Sequence, residues 1–460
     1  MIQLSKQDKE HVLTAIKNGH IDAADLTLPN LVDSMVLLMK KMGIINALSQ
    51  CIEDKRAKNL HIPFDILLLL AVCAKLKQKT SLTDVPYAVS DPELLVALGW
   101  NAYDTERPLE QGLFSEHVMR SLLAKYSADE WISFYNSYVQ QQVFPKCEFS
   151  PTIHILDCTK IPVNLTNENY ESSGVIKIDG ENMRGYKLGV LRGVLDTSGA
   201  IEEVCIGKIQ THDMELCRDL LKNTSCFQPG DIIVNDRGFI SREMVNFLKL
   251  ERKVDTFVPA KKTMTIYEDA VSIAKSEKKW HKHPNKKRTT QKIQLVEDLG
   301  NLWTEGDQEK DVPINACVVH DTKKDEYYVF LTTDTSLTAK QIIQTYEIRP
   351  EIEEDFRQMK DFWKLEDFKS TKYNYIAFHI VMTLIGYLYF QIFKNTEEGA
   401  RYARKSLPVV VKNFTTKKAK SVVIYVGQYF GIFGFLEFMK LYAECPPEVR
   451  SSLDPILAVV

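Results

Sequence analysis

The chain has 460 residues, of which 45% are hydrophobic and 26% charged, and its formal net charge is −3. This composition excludes a disordered chain, and the length predicts two to four domains with a sizeable core. The near-neutral total by itself argues against a nucleic-acid partner. The charge is unevenly distributed, however, because residues 275–292 carry eight Lys or Arg and one acid, whereas residues 394–420 carry eight and two. Local balances of +7 and +6 leave −16 for the remainder, so the total does not exclude DNA.

The cysteines and the apolar segments predict the cellular location of the protein. Nine cysteines at irregular spacing, with no Cys-x-x-Cys pair, indicate reduced thiols and a cytoplasmic location. The N-terminus lacks the apolar stretch of a signal peptide. Residues 62–75 are too few to span a membrane. Residues 375–393 are longer but include His379 and Gln391, so a core helix is preferred and no membrane is expected.

Residues 1–148 are predicted to be helical. Two short apolar-periodic pieces in 81–100 are divided by Pro86 and by Ser90-Asp91-Pro92, and a capped helix follows in 114–126. Short helices joined by tight turns suit a helix-turn-helix-like DNA module, and a plain helical bundle is the alternative.

The pattern changes near residue 150 to a mixed α/β order. Strands are expected at 153–159, 186–196, 200–210, 231–236 and 255–259, with helices at 213–222 and 241–252 and a turn at 196–199. The next segment, 261–325, is polar and basic and then β-prone, with strands expected at 291–296 and 314–320. A strand at 326–333 precedes helices at 337–347, at 350–362 and from 375.

Two aspartates each end a predicted apolar strand. Asp157 ends IHILD and Asp236 ends IIVND, with Gly238 allowing a sharp turn before the next helix. Ligands of open α/β sheets gather at this edge. Taken alone, Asp157 is better explained as a turn or capping residue, whereas Asp236 suits a site and a structural role equally.

A third candidate acid, Glu353, lies in YEIRPEIEEDFRQMK. An uninterrupted helix would place Tyr346, Arg349, Glu353 and Lys360 within about 60° of one another. Pro350 favours a kink or a new helix there, which leaves only Glu353 and Lys360 certain to share a face. A carboxylate among basic groups suits a phosphodiester, whereas a solvated face with surface ion pairs is the simpler alternative.

Two Asp and one Glu are hard oxygen ligands, which suit Mg²⁺ or Mn²⁺. Two such ions activate a hydroxyl and stabilise the leaving oxygen in phosphodiester transfer. Glu351 and Glu354 lie about 200° and 100° from Glu353 on a helix, so only one of the three is expected to face the aspartates.

Tyr346-x2-Arg349-x3-Glu353-x6-Lys360 resembles the signature of DDE transposases of the bacterial insertion-sequence-four group. Asp236-Arg237-Gly238-Phe239, Asp157 on the opening strand and Thr211-His212-Asp213 also resemble that family, over residues 150–393. Pro350, where many relatives have Trp, and Cys158, where a small residue is frequent, depart from the pattern without removing a ligand.

The resemblance implies an α/β fold: a ribonuclease-H-like catalytic core (149–260 and 326–393) with a β-rich basic insertion (261–325). The remainder is a helical N-terminal domain for DNA-end binding (1–148) and a helical C-terminal region for DNA contact or dimerisation (394–460). The 117 residues between Asp236 and Glu353 leave room for the insertion.

The resemblance also implies an activity: metal-dependent cleavage at insertion-sequence ends and transfer of the 3′-hydroxyl strand into target DNA. Asp157, Asp236 and Glu353 would hold two Mg²⁺ or Mn²⁺ ions. Tyr346, Arg349 and Lys360 would position phosphates of double-stranded DNA, and a homodimer would bring two ends together. Some relatives stack a flipped base on an aromatic side chain, for which the chain offers Trp280 and Trp303.

Two other functions stay open on the sequence: a DNA-binding derivative without catalysis, and a ribonuclease-H-like nuclease without strand transfer. A basic run alone is usually a solvated face or a mobile loop. Beside a phosphodiester-cutting triad, both basic runs predict contacts with the DNA backbone, and the first includes Lys286, Lys287 and Arg288.

Overall fold

A computed structural model describes most of the chain as two compact bodies. The described residues are 6–27, 31–56, 62–89, 92–100, 112–195, 199–299, 312–397, 399–403, 405–406, 408–410 and 421–459. The first body comprises 1–127, 362–369 and 382–460, and the second comprises 128–361 and 370–381.

The second body is built on one sheet, with ten strands in its described residues. These are β3 (Ile153–Val163), β4 (Gly174–Ile178), β5 (Glu181–Val194), β6 (Gly199–Lys208), β7 (Ile232–Asn235), β8 (Asp255–Pro259), β9 (His281–Lys282), β10 (Gln291–Val296), β11 (Asn315–Asp321) and β12 (Glu326–Thr332). The order is β4-β5-β3-β7-β8-β12-β11-β10-β9, and β6 pairs with β5. Strand β7 runs parallel to β3 and β8, and the other pairs are antiparallel.

Helices cover both faces of this sheet because its central strands are apolar on both sides. Ile233 packs in a cluster with residues of the helices at 213–223 and 242–247, whereas its neighbour Val234 packs with residues of the helix at 339–346. The helices of this body are α6 (Ala128–Tyr138), α7 (Phe144–Cys147), α8 (Asp213–Asn223), α9 (Arg242–Phe247), α10 (Thr265–Glu277), α11 (Ala339–Tyr346) and α12 (Pro350–Asp361).

The segment 261–325 differs from the simple β-prone expectation. It begins with helix α10, which buries Ile266, Ala270 and Ala274. Its strands β9, β10 and β11 extend the same sheet through β12, which pairs with β8. The predicted turn at 196–198 lies outside the described residues.

The first body contains a second sheet, ordered β1-β14-β13-β2. Its strands are β1 (Lys6–Gln7), β2 (Ala23–Thr27), β13 (Ser421–Val426) and β14 (Tyr429–Gly434). Its helices are α1 (Lys9–Lys17), α2 (Leu31–Lys41), α3 (Phe64–Leu76), α4 (Pro92–Leu98), α5 (Glu116–Leu123), α14 (Phe435–Glu444) and α15 (Pro447–Val459).

This sheet corrects the expectation of a wholly helical C-terminal region. Strands β13 and β14 form a hairpin around Gly427, whose φ of 58° suits the tight two-residue turn. The partners β1 and β2 come from the other end of the chain, so the N-terminal segment is not wholly helical either. Pairing over this separation is a tertiary property that local patterns do not carry.

The apolar segment from 375 forms helix α13 (Tyr373–Lys394). Among the described helices it is the one long and apolar enough to cross a membrane, and its most apolar stretch is entirely buried within the molecule. A buried core helix passes the same test of length and composition.

Candidate functional site

Asp157 and Asp236 lie side by side at one edge of the second body's sheet. Strands β3 and β7 are parallel, with Leu156 opposite Asn235, so the next residue of each strand is an aspartate. The Cys158 N–H donates to Asp157 Oδ1 at 2.7 Å, which fixes that carboxylate at the strand. The prediction that each aspartate ends its strand is correct for Asp236, which directly follows β7, and wrong for Asp157, because β3 continues to Val163.

Glu353 comes from α12, which begins at Pro350 just after a turn that follows α11. Proline suits the first turn of a helix because the N–H it lacks would have no partner within the helix. The predicted break at Pro350 is therefore observed. Glu353 lies in the first turn of α12, with 57% of its side chain exposed.

Arg349 brings the three acids together. Its Nη1 donates to Glu353 Oε1 at 2.7 Å and to Asp157 Oδ2 at 3.3 Å, and its Nη2 lies 3.6 Å from Asp236 Oδ1. Only 14% of the Arg349 side chain is exposed. One guanidinium thus contacts three carboxylates that come from three separate elements, and its single positive charge offsets part of theirs.

Burial raises the pKa of Asp157 to about 6, against the opposing effect of Arg349, and the nearby Asp236 and Glu353 carboxylates raise it further. Burial also raises the pKa of Tyr346. Like charges held close together in a partly desolvated site are typical of functional sites.

The two remaining signature residues contact the same region. The phenol oxygen of Tyr346 lies 3.3 Å from Arg349 Nε. Lys360 Nζ donates to the Lys160 carbonyl of β3 at 2.6 Å. Because α11 ends at Tyr346, that residue reaches Arg349 across the turn and not along a continuous helix face.

The family comparison covers the same region. A family described as the transposase DDE domain matches residues 149–389, which is just over half of the chain. The chain belongs to the DDE transposase family. No curated protein matches it. The mixed α/β architecture with one large mixed sheet is consistent with this family's fold.

DDE transposase domains generally use divalent metal ions, and the donors here fit such ions chemically. Three carboxylates provide only hard oxygen ligands. In the described residues, however, no three acidic, His or Cys side chains lie close enough together to hold an ion as they stand. Arg349 lies between the carboxylates, and its single positive charge offsets part of their negative charge.

A cavity of about 680 Å³ adjoins this transposase site. Tyr346, Arg349 and Glu353 line one side, and the residues from 283–330 that complete it include Arg288. His283 Nδ1 accepts the Asn285 N–H at 3.1 Å, so His283 Nε2 carries the proton. Because Arg288 and Glu353 line the same cavity, the basic segment 261–325 lies close to the carboxylates.

The predicted DNA contacts Lys286, Lys287 and Arg288 are all exposed on the turn between β9 and β10. Arg288 Nε lies 2.9 Å from Glu347, which precedes α12. Trp280 is half-buried among apolar residues of α10 and β12, with its ring 5.6 Å from that of His320. Trp303 and much of 394–420 lie outside the described residues.

Sequence reasoning missed a charged network beneath α12, which is buried except for Glu351. Arg192 of β5 forms ion pairs with Glu351 and Asp355. Nearby, His154 lies between Glu202 at 2.6 Å and Asp231 at 3.2 Å. The signal was present as charged residues inside apolar strand patterns, but a sequence does not give their partners.

Proposed function

We propose that this transposase cleaves DNA at insertion-sequence ends and transfers the resulting 3′-hydroxyl strand into target DNA. The observation that carries the proposal is the convergence of Asp157, Asp236 and Glu353 on Arg349, with the two aspartates next to each other where the pairing of β3 with β7 ends. Convergent carboxylates beside basic groups suit phosphodiester chemistry and need no nucleophilic side chain.

In this proposal the core is ribonuclease-H-like. Its support is the strand order β6-β5-β3-β7-β8, in which three antiparallel strands precede two parallel ones. Assignment to the insertion-sequence-four group is supported by the complete Tyr346, Arg349, Glu353 and Lys360 signature and by the Asp236-Arg237-Gly238-Phe239 turn.

Asp157, Asp236 and Glu353 would hold two Mg²⁺ or Mn²⁺ ions, which supply activation of the attacking oxygen and stabilisation of the leaving one. Arg349 would leave the carboxylates to contact a DNA phosphate, assisted by Tyr346. Lys360 would hold α12 against β3 and help to place the strand. Hydrogen bonding by a guanidinium to phosphate oxygens is strong and directional, which favours Arg349 for this role.

The remaining segments would serve DNA and assembly. The N-terminal segment 1–148 would bind element ends, the segment 261–325 would contact DNA through its basic turn, and 394–460 would contact DNA or a second copy of the chain. We place the reaction in the cytoplasm, with two protomers joining two ends and no membrane involved.

One experiment tests the reaction. The protein is incubated with DNA carrying its element ends, Mg²⁺ and a target plasmid, and compared with Glu353→Gln. Glu354→Gln is the matched control, because Glu354 pairs with Arg357 on the same helix. We expect cleavage and joined product for the wild type and the control, and neither for Glu353→Gln.

Each other outcome identifies an alternative. Cleavage without joining would indicate a nuclease without strand transfer. DNA binding without cleavage would indicate a derivative that has lost catalysis, although all three acids are present. Cleavage that survives Glu353→Gln would show that another acid, such as Glu351, has this role.

A further inference from the structure

Arg192 is a buried cation that forms ion pairs with helix α12. It lies on β5 with 3% of its surface exposed. Its Nε donates to Asp355 Oδ2 at 2.6 Å, and its Nη2 lies 2.9 Å from Glu351 Oε2. A charge in this position is costly unless it is paired, so these contacts bind α12 firmly to the sheet.

The two carboxylates that Arg192 holds lie on the side of α12 opposite to Glu353. Glu351 and Asp355 are four residues apart and therefore share one face of the helix. Glu353 is two residues from each, or about 160° around the helix axis. Arg192 thus contacts the face of α12 opposite to Glu353, and Glu353 lies on the face that contacts Arg349.

On the sheet, Arg192 is tied to the strand that carries Asp157. It lies opposite Ile155 of β3, two residues before Asp157, so the side chains of Arg192 and Asp157 project from the same face. The guanidinium also fits closely against β6, because a Cβ at Gly199 would lie 2.1 Å from its central carbon. The ion pairs of Arg192 with Glu351 and Asp355 therefore fix α12 relative to β3.

We propose that Arg192 is a positioning residue, which sets where Glu353 stands relative to Asp157 and Asp236. It touches neither the acids of the candidate site nor substrate, and it acts through Glu351 and Asp355. The inference rests on the proposed function, since it assigns Arg192 a part in assembling the ligand set for that reaction.

The test compares Arg192→Met with Arg192→Met/Asp355→Leu. The single change leaves Asp355 buried without its cation, whereas the double change replaces the buried ion pair by apolar side chains, which often restores stability. Arg184→Met is the matched control, because Arg184 is a half-buried arginine of the same strand that contacts the Leu165 carbonyl and not α12.

Four quantities are measured: the melting temperature, Mn²⁺ binding to the DNA-free protein by calorimetry, hydrogen exchange in α12, and the cleavage rate against Mn²⁺ concentration. We expect both Arg192 variants to need about tenfold more Mn²⁺ for half-saturation, with faster exchange in α12. The melting temperature should fall in the single variant and recover in the double variant. Arg184→Met should leave Mn²⁺ binding unchanged.

Three results would overturn the positioning role. The first is wild-type Mn²⁺ binding in Arg192→Met. The second is recovery of Mn²⁺ binding together with stability in the double variant, which would make Arg192 purely structural. The third is a wild-type protein that binds no Mn²⁺. Absence of wild-type cleavage would instead refute the proposed function, while Mn²⁺ binding and exchange in α12 would still test the positioning role.

Discussion

Arg349 contacts three carboxylates, and the proposed function gives it a DNA phosphate as a further partner. A guanidinium has five N–H donors in a planar fork, which lets one side chain bridge several acids. The contact keeps the acids close together without a metal ion. A cation that binds the acids would then replace Arg349 as their partner.

Replacing Arg349 by methionine should destabilise the metal-free protein. Asp157, Asp236 and Glu353 would repel one another without their shared cation, so we expect the melting temperature in a chelator to fall by about 4 °C. Added Mg²⁺ should raise it more in the variant than in the wild type. Differential scanning fluorimetry with and without Mg²⁺ measures both effects.

Arg357→Met is the control for this comparison, because Arg357 pairs with Glu354 and Asp361 on the exposed side of α12. Its response to Mg²⁺ should equal that of the wild type. An equal response in Arg349→Met as well would show that the three acids do not depend on Arg349.

Glu203 of β6 predicts a pH dependence of stability. Burial raises its pKa to about 7, in spite of hydrogen bonds from Gln140 and Thr224. A raised carboxyl pKa in the folded state means that its contribution to stability is complete below about pH 4.5 and is lost as the pH rises through 7. Glu203→Gln removes this loss, so it should be more stable than the wild type at pH 8 by up to about 3 kcal/mol.

Urea denaturation at pH 4.5 and pH 8 measures the difference, with Glu215→Gln on the exposed face of α8 as the control. The advantage of Glu203→Gln should be much smaller at pH 4.5. An advantage of the same size at both pH values would contradict a titrating Glu203.

At the scale of elements, Pro350 separates two helices, although the spacing of the signature residues would fit one continuous helix. Helix α11 ends at Tyr346 and α12 starts at Pro350, so the signature residues lie on two helices and the turn between them. The helical-wheel angles calculated for one uninterrupted helix therefore apply to neither Tyr346 nor Arg349. Their approach to Glu353 depends on how α11 is fixed on the sheet.

Thr338 begins α11 with a capping box, in which Thr338 accepts the Gln341 N–H and Gln341 accepts the Thr338 N–H. Thr338→Ala should cost about 1 kcal/mol, seen as a lower urea midpoint. Thr338→Ser retains the hydroxyl and should behave like the wild type. Equal losses in both variants would assign the effect to the methyl group and not to the cap.

At the scale of the whole molecule, the unequal distribution of charge matters more than its total. The exposed turn with Lys286, Lys287 and Arg288 and the carboxylate site belong to the same body, and Arg288 lines the cavity beside Glu353. A net charge of −3 therefore coexists with a locally basic surface near the proposed chemistry.

Changing Lys286, Lys287 and Arg288 to glutamine should weaken DNA binding and flatten its dependence on salt. Each lost phosphate contact lowers the slope of log K against log salt by about 0.9. Fluorescence anisotropy with labelled DNA at several salt concentrations measures both. Glutamine at Lys177, Arg218 and Lys222, which lie elsewhere in the same body, is the control, and unchanged affinity and slope in the first variant would defeat the prediction.

The strands and helices around Asp157 and Asp236 followed from the sequence because their signals are local. Apolar runs end at each aspartate, and the start of a helix at Pro350 is predicted from one residue. The hairpin β13–β14 also had a local signal in Gly427-Gln428 between two β-prone runs, but it was overlooked. Its pairing with β1 and β2 had no local signal, because it joins the two ends of the chain.

By itself the sequence determined the three acids, their order and the signature spacing, together with the mixed α/β character of the region that matches the family. These are properties of short segments, where periodicity and turn chemistry act. Only the tertiary structure decided that Arg349 lies among the acids and that Arg192 holds α12 from behind. Both depend on the parallel register of β3 with β7 and on charges buried between distant segments, whose energies exist only once those segments are packed together.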